Sequence, residues 1–414
     1  MALLGASYAI CAAAQNPVTK WNEYAVAAAL SGNQTISPGS NTSGGAGIYL
    51  AYVHLAIFNA VNAIDGRFEP YGPGLAPAPG ASTDAAAISA AYFTLLNYFP
   101  NQAATLTQQY AGSLASIPNS GSKDLGLQLG LAAANQIISL RAGDGRGANV
   151  TYTYPSVPVA GVWIPTPPGF AAPQTPWVGK MKPLTMSRPD QFLPDEPPPM
   201  MGSAEWADDY DQVKSLGALN SPIRTATQTE IGLFWTEQTA GQYARAFRKL
   251  AEAKALNTSD SARLFATLWT AYADSFIGCM NAKYYFSFWR PVTAIRNGDL
   301  DGNPETLADA GWTPLFTTPN HPEYPAAHGC VTGAVANTLK GFFGTPNVDL
   351  KVSSTVTGQE HPFTSVHDLE REVEWARIFV GFHYHHSLVQ GFVLGHKVAD
   401  QVVHGYFRPV RGNR

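Results

Sequence analysis

With 414 residues, 45% of them hydrophobic, the chain can bury one large core or two ordinary ones. Its 26 Lys and Arg against 30 Asp and Glu give a net charge of −4, and with a pI near 6.2 and no basic run it offers nucleic acid no cationic face. Three cysteines, Cys11, Cys279 and Cys330, are too few for a disulfide scaffold. Cys279 and Cys330 are expected to come near each other, as buried free thiols before a bridge.

Residues 2–14 form an alanine-rich apolar run that ends in small residues, like a signal-peptide core without its positive start; export to a secreted or periplasmic location is the expectation, with a soluble cytoplasmic chain as the alternative. No other run of about twenty apolar residues occurs, so no membrane span is expected. From residue 18 to 142 the pattern is helical, with helices expected over 21–30, 48–64, 84–98, 102–115 and 124–142. Alanine and apolar residues at helical spacing, such as Ile57, Val61 and Ile64, carry the signal.

Between Pro155 and Pro199 lie 13 of the 31 prolines, which excludes helix there and points to a long ordered connection clamped by Trp163, Phe170 and Trp177. Helical patterning resumes at Ser203, a suitable N-cap, and covers 229–239, 241–255, 259–290 with room for breaks, 327–343, 365–379 and 384–406. The expected organisation is a possible signal segment over 1–14, an N-terminal helical half over 15–150, a proline-rich connection over 151–202 and a C-terminal helical half over 203–414. Strand-like alternation is scarce, so the fold class is all-α.

Three segments of the second half carry chemistry. Lys283 and Arg290 stand seven residues apart among Tyr284, Tyr285, Phe286, Phe288 and Trp289, which on a continuous helix puts both cations on one face with little else polar; a tetrahedral oxyanion between them would relieve the charge. The loop from His321 through Pro325 delivers His328 to the start of a small-residue helix whose free N–H groups suit an anion. Arg377 precedes His383 by six residues, with Gly381 as the expected helix break, and Ser387 lies one turn beyond His383, where its hydroxyl could hold one imidazole nitrogen. A zinc cluster of His383, His385 and His386 is disfavoured, because three cations would sit beside the metal.

Lys-x6-Arg-Pro, Pro-x-x-His and Arg-x5-His, in this order, resemble the motifs of the vanadium-dependent haloperoxidases, within the phosphatidic-acid-phosphatase type 2 superfamily. The segment around Trp21, Asn22 and 54–64 is similar to their soluble bacterial-type members. The resemblance implies two four-helix bundles with vanadate as cofactor in the second. His383 would be the metal ligand, and Lys283, Arg290, Ala327, His328 and Arg377 would surround the oxyanion. His328 would act as acid-base and Lys283 would polarise peroxide. It further implies hydrogen peroxide, a halide and an organic acceptor as partners; self-association is left open.

Two departures stand out. Ala326-Ala327 replaces the usual Ser-Gly, removing a hydroxyl bond to a charged group worth about 1.5–3 kcal/mol. Ser387 stands where an aspartate often orients the ligand histidine. His321 and Met280 match positions on the halide side, and their identities imply bromide or iodide oxidation rather than chloride. The rivals are an acid phosphatase with His383 as nucleophile, and a non-catalytic helical anion-binding protein in which Ala326 and Ser387 mark a decayed site.

Overall fold

A computed structural model describes residues 16–42 and 44–410. The expected signal segment and Cys11 lie outside the described residues.

The first half contributes α1 (Pro17–Leu30), α2 (Gly45–Asp65), α3 (Thr83–Tyr98), α4 (Ala103–Leu114) and α5 (Gly121–Leu140). Helix starts follow local chemistry. Asn16 caps Val18 N ahead of Pro17, and Ser82 and Ser120 cap α3 and α5. α1, α2, α3 and α5 pack as a bundle around α2. Among the described residues α2 alone is long and apolar enough to cross a membrane, yet nearly all of it is enclosed by other helices, so it is a core element.

The second half contributes α6 (Ala204–Gly217), α7 (Ala226–Phe234), α8 (Thr239–Ala253), α9 (Thr258–Phe286), α10 (Pro291–Arg296), α11 (Ala327–Phe343), α12 (Val366–Phe379) and α13 (His385–Gly405). α9, α11, α12 and α13 form the second bundle, and α2 lies along α9, so one apolar core runs through both. Gly47 permits that approach: a Cβ there would fall 2.2 Å from the Tyr272 ring of α9. Gly395 does the same for α13 on α11, where a Cβ would stand 2.2 Å from the Cys330 carbonyl. This close seam sets the first turns of α11 and α13 side by side, with Ala326 N donating to Ser387 O at 2.9 Å.

The proline-rich connection is ordered by polar clamps as much as by aromatics. The wholly buried Asp274 of α9 accepts from Leu184 N at 2.6 Å, Thr185 N at 2.7 Å and Thr185 Oγ1 at 2.5 Å. Trp163 and Trp177 are buried as expected, but Phe170 is 63% exposed and clamps nothing. Cys279 and Cys330 are free, buried neighbours, and Cys279 Sγ donates to Pro325 O at 3.7 Å.

Two features differ from the sequence expectation. α9 ends at Phe286, where Ser287 turns left-handed with φ 51°, so Arg290 leaves the helix and caps α10; Lys283 and Arg290 do not share a helical face. Between the helices expected over 327–343 and 365–379, with no strand expected there, runs an antiparallel hairpin, β1 (Asn347–Ser353) with β2 (Glu360–Ser365). Val348, Leu350 and Val352 alternate inward to cover the core, a period-two signal too short to stand out.

Candidate active site

Where α11 and α13 begin, a cavity of about 90 Å³ opens between the bundles. One bound water needs roughly 10–15 Å³ on this measure, so the space holds a small polyatomic ion. His321, Ala327, His328, Arg377 and His383 line it, with Met280 from α9. Thr42 and Gly44 reach in from the first half, Gln174 and Thr175 from the proline-rich connection. Lys283 and Arg290 do not line the cavity; they sit behind its wall.

His383 is fixed from both sides. Its Nδ1 lies 2.7 Å from Glu323 Oε1, and its Nε2 lies 3.1 Å from Arg290 Nη1. A carboxylate can only accept from Nδ1–H and a guanidinium can only donate to Nε2, so the imidazole is the Nδ1–H tautomer with its Nε2 lone pair engaged by Arg290. Burial first, then the charges of Arg290, Lys283 and Arg377, hold His383 well below the usual imidazole range. It is neutral and able to act as a ligand or nucleophile.

Ser387 does not hold the imidazole. Its Oγ donates to Glu323 Oε2 at 2.6 Å, while Tyr384 N donates to Glu323 Oε1 at 3.2 Å, so the serine orients the carboxylate that orients the histidine. The site therefore has its carboxylate partner, supplied by the loop before α11, and Ser387 marks no decay. The only sequence signal for Glu323 was a lone acid between prolines in a segment otherwise supplying histidines.

Burial pushes the Glu323 carboxyl up to about 7, against the pull of Lys283, the Ser387 bond and Arg290. Lys283 Nζ donates to the carbonyls of Pro322 at 3.0 Å and Glu323 at 2.8 Å, which shapes the loop carrying Glu323; burial pulls the ammonium down to about 8. Arg290 ties the same loop to α13, donating from Nε to His321 O at 2.9 Å, from Nη1 to Phe382 O at 3.0 Å and from Nη2 to His321 Nδ1 at 3.0 Å.

On the opposite wall, Arg377 Nη1 donates to Trp235 O at 2.6 Å, while its Nε is buried without a partner. His328 bonds to the same Trp235 backbone, and its Nε2 is also buried without a partner. Burial, then the Arg377 charge, hold His328 well below its ordinary range, so it too is neutral. α11 starts without a side-chain cap, so the N–H groups of its first turn have no side-chain acceptor where Ala327 and His328 line the cavity.

Charge shows what the arrangement lacks. Lys283, Arg290 and Arg377 are each at most 2% exposed, and Glu323 is the one carboxylate among the groups that act most strongly on them. Three cations against one carboxylate leave an excess of two positive charges in the interior, an arrangement unfavourable until an anion enters. The unpartnered Arg377 Nε, the unpartnered His328 Nε2 and the uncapped helix start are all placed to meet it.

His385 and His386 point elsewhere, to Glu374 at 2.8 Å and Glu205 at 3.0 Å, and no cluster of metal-binding side chains occurs among the described residues. His321 and Met280, which the resemblance puts on a halide side, both reach the cavity wall. Phe276, Phe316 and Phe382 join them there, so that wall is more aromatic than expected from Met280 alone.

Sequence and fold comparisons both lead to vanadium-dependent haloperoxidases. Residues 263–412 match the family model described as the VCPO second helical-bundle domain. Over 208 residues the chain is 28% identical to the vanadium chloroperoxidase of Curvularia inaequalis, covering 42% of this chain but only 33% of that protein. Its fold resembles that of a bacterial vanadium-dependent iodoperoxidase, with a TM-score of 0.75 at 21% identity over 93% of this chain and 96% of the other. It also resembles a bacterial vanadium-dependent chloroperoxidase in its holo form, with a TM-score of 0.70 at 16% identity over 92% and 95%. The chain thus matches the second helical-bundle domain of the vanadium-dependent haloperoxidases in sequence over residues 263–412, and its fold resembles theirs along nearly its whole length.

Proposed function

We propose that this protein is a vanadate-dependent peroxidase that uses hydrogen peroxide to oxidise bromide or iodide to a hypohalous-acid equivalent. The observation that carries the reading is the buried excess of positive charge around a cavity with three unsatisfied or releasable nitrogens, on His328, Arg377 and His383. Vanadate, a tetrahedral anion, suits that donor set.

Arg377 and the N–H groups of Ala327 and His328 would hold its oxygens, and His383 Nε2 would be the direct ligand. Lys283 and Arg290 supply positive field from behind the wall. Vanadate, when bound, activates hydrogen peroxide toward halide as a Lewis acid without changing oxidation state. Arg290 Nη1 releases His383 Nε2, whose lone pair it occupies in the structure. Glu323 keeps the proton on Nδ1, so the imidazole stays neutral and correctly turned. His328 Nε2, neutral and unpaired, accepts the proton that entering peroxide must lose.

Phosphate has the shape and charge of vanadate, and the Glu323–His383 pair would equally serve a nucleophilic histidine with His328 protonating a leaving group. Acid phosphatase is thus the second reading. Dye bromination with peroxide and bromide, with and without orthovanadate, is measured beside phosphate-ester hydrolysis. Vanadate-dependent bromination is expected; hydrolysis without bromination would reverse the order of the two.

A further inference from the structure

Beside the reaction cavity lies a second and larger opening, a surface cleft of about 510 Å³ walled by Tyr152, Tyr284, Tyr285, Asn281, Lys180 and Leu193. The two share a thin partition. Met280 lines both spaces, and consecutive residues of the proline-rich connection face them in turn, Thr175 the cavity and Pro176 the cleft. Gln174 lines the cavity, and its carbonyl accepts from Tyr284 Oη of the cleft at 2.5 Å.

The cleft is built for a flat, electron-rich ring. Tyr152 and Tyr284 meet edge to face with centroids 4.7 Å apart, and Tyr285 stands 67% exposed in the last turn of α9. Tyr152 and Tyr284 spend their hydroxyls on Ser287 and Gln174, so they present ring surface. Asn281 Nδ2 donates to Gly179 O at 2.8 Å, which turns its Oδ1 away from that bond as an acceptor for a ligand hydroxyl.

Resting on the peroxidase reading above, we propose that this tyrosine-walled cleft binds the organic acceptor, a neutral phenol, within one side chain of the place where halide is oxidised. The acceptor's C–H carbon attacks the halogen of the hypohalous acid. A C–X bond forms and the O–X bond breaks; hydroxide leaves with the electron pair and takes the ring proton, giving water and the halogenated phenol. No further oxidant is needed, because the halide was already oxidised by peroxide.

The test uses p-cresol as acceptor and the full-length protein with Y285A and the double variant Y285A/N281A, both lying outside the reaction cavity. Ligand-observed NMR without peroxide reads p-cresol binding directly, and triiodide formation from iodide and peroxide reads halide oxidation without any acceptor. Loss of one stacking face is expected to raise the p-cresol KM about three- to tenfold in Y285A and further in the double variant, with matching loss of the NMR signal. Triiodide formation is expected to stay at the wild-type rate. If wild type makes triiodide but both variants keep its KM and NMR signal, the oxidant escapes to bulk water and the cleft proposal is wrong. If wild type makes no triiodide although p-cresol binds, the peroxidase reading fails and the cleft stands only as a phenol site. p-Cresol that gives no NMR signal with wild type overturns the cleft whatever the halide result.

Discussion

Glu323 Oε1 lies 2.7 Å from His383 Nδ1, inside the protein and with Ser387 steadying the other carboxylate oxygen. Two segments 60 residues apart in sequence thus build one buried pair. The glutamate fixes the tautomer and plane of the ring, work that outer partners of metal-bound histidines do at a price of about 10–100-fold when removed. E323Q should accordingly lower vanadate-dependent bromination about 10–100-fold at saturating vanadate. S387A, which only loosens the carboxylate, should lose less. Rates of both variants against melting temperature make the check, and an E323Q enzyme as fast as wild type would show that the pair is structural.

H383A should abolish halogenation, because the nitrogen proposed as the direct ligand is gone. H386A should retain most activity: that ring pairs with Glu205 and the Pro197 carbonyl, away from the cavity. Parallel loss in both variants, measured at equal folded protein, would favour a multi-histidine metal site instead.

The parts of the site legible in sequence were those with a local spacing. Lys283 with Arg290, His328 at a helix start, and Arg377 with His383 across Gly381 each announce themselves within ten residues. The all-α class followed from alanine-rich 3.6 periodicity, and Gly381 does adopt positive φ, at 79°. Glu323 was not legible, because its role exists only once the loop folds beneath α13. The left-handed turn at Ser287 was missed for a related reason: aromatic packing of Phe288 and Trp289 in a second core overrides the helical pattern that runs through them. Nor could sequence place Thr42 or Thr175 on the cavity wall, since tertiary packing alone brings the first half and the connection there.

Asp209 gives a stability test remote from the cavity. It is 6% exposed, accepts from His386 N at 3.3 Å, and burial pushes its carboxyl up to about 6. A carboxyl raised in the folded state binds its proton more tightly there than in the unfolded chain. The folded state is therefore penalised as pH climbs from about 4 to 6, and the penalty is complete above 6. The rise of the carboxyl to about 6 corresponds to about 3 kcal/mol at most. D209N should raise the melting temperature at pH 7–8 and change it little at pH 4. Equal shifts at both pH values would show that charge is not the cause.

Halide choice follows from what the cavity asks an anion to give up. Phe276, Phe316 and Phe382 offer apolar surface, but Thr42, Gln174, Thr175, Thr236, Thr317 and His321 also line the cavity, so its wall is mixed rather than wholly aromatic. Chloride holds its hydration most firmly and is hardest to oxidise, so it depends most on a dry, aromatic enclosure. Bromide and iodide ask less of the wall and should be turned over, with chloride oxidised slowly. Replacing Met280 by Phe would extend the aromatic side and should raise the chloride rate relative to bromide. Rates at matched peroxide and saturating vanadate decide it: wild-type chloride turnover equal to bromide would refute the expectation, and an unchanged ratio in M280F would show that this wall does not set the preference.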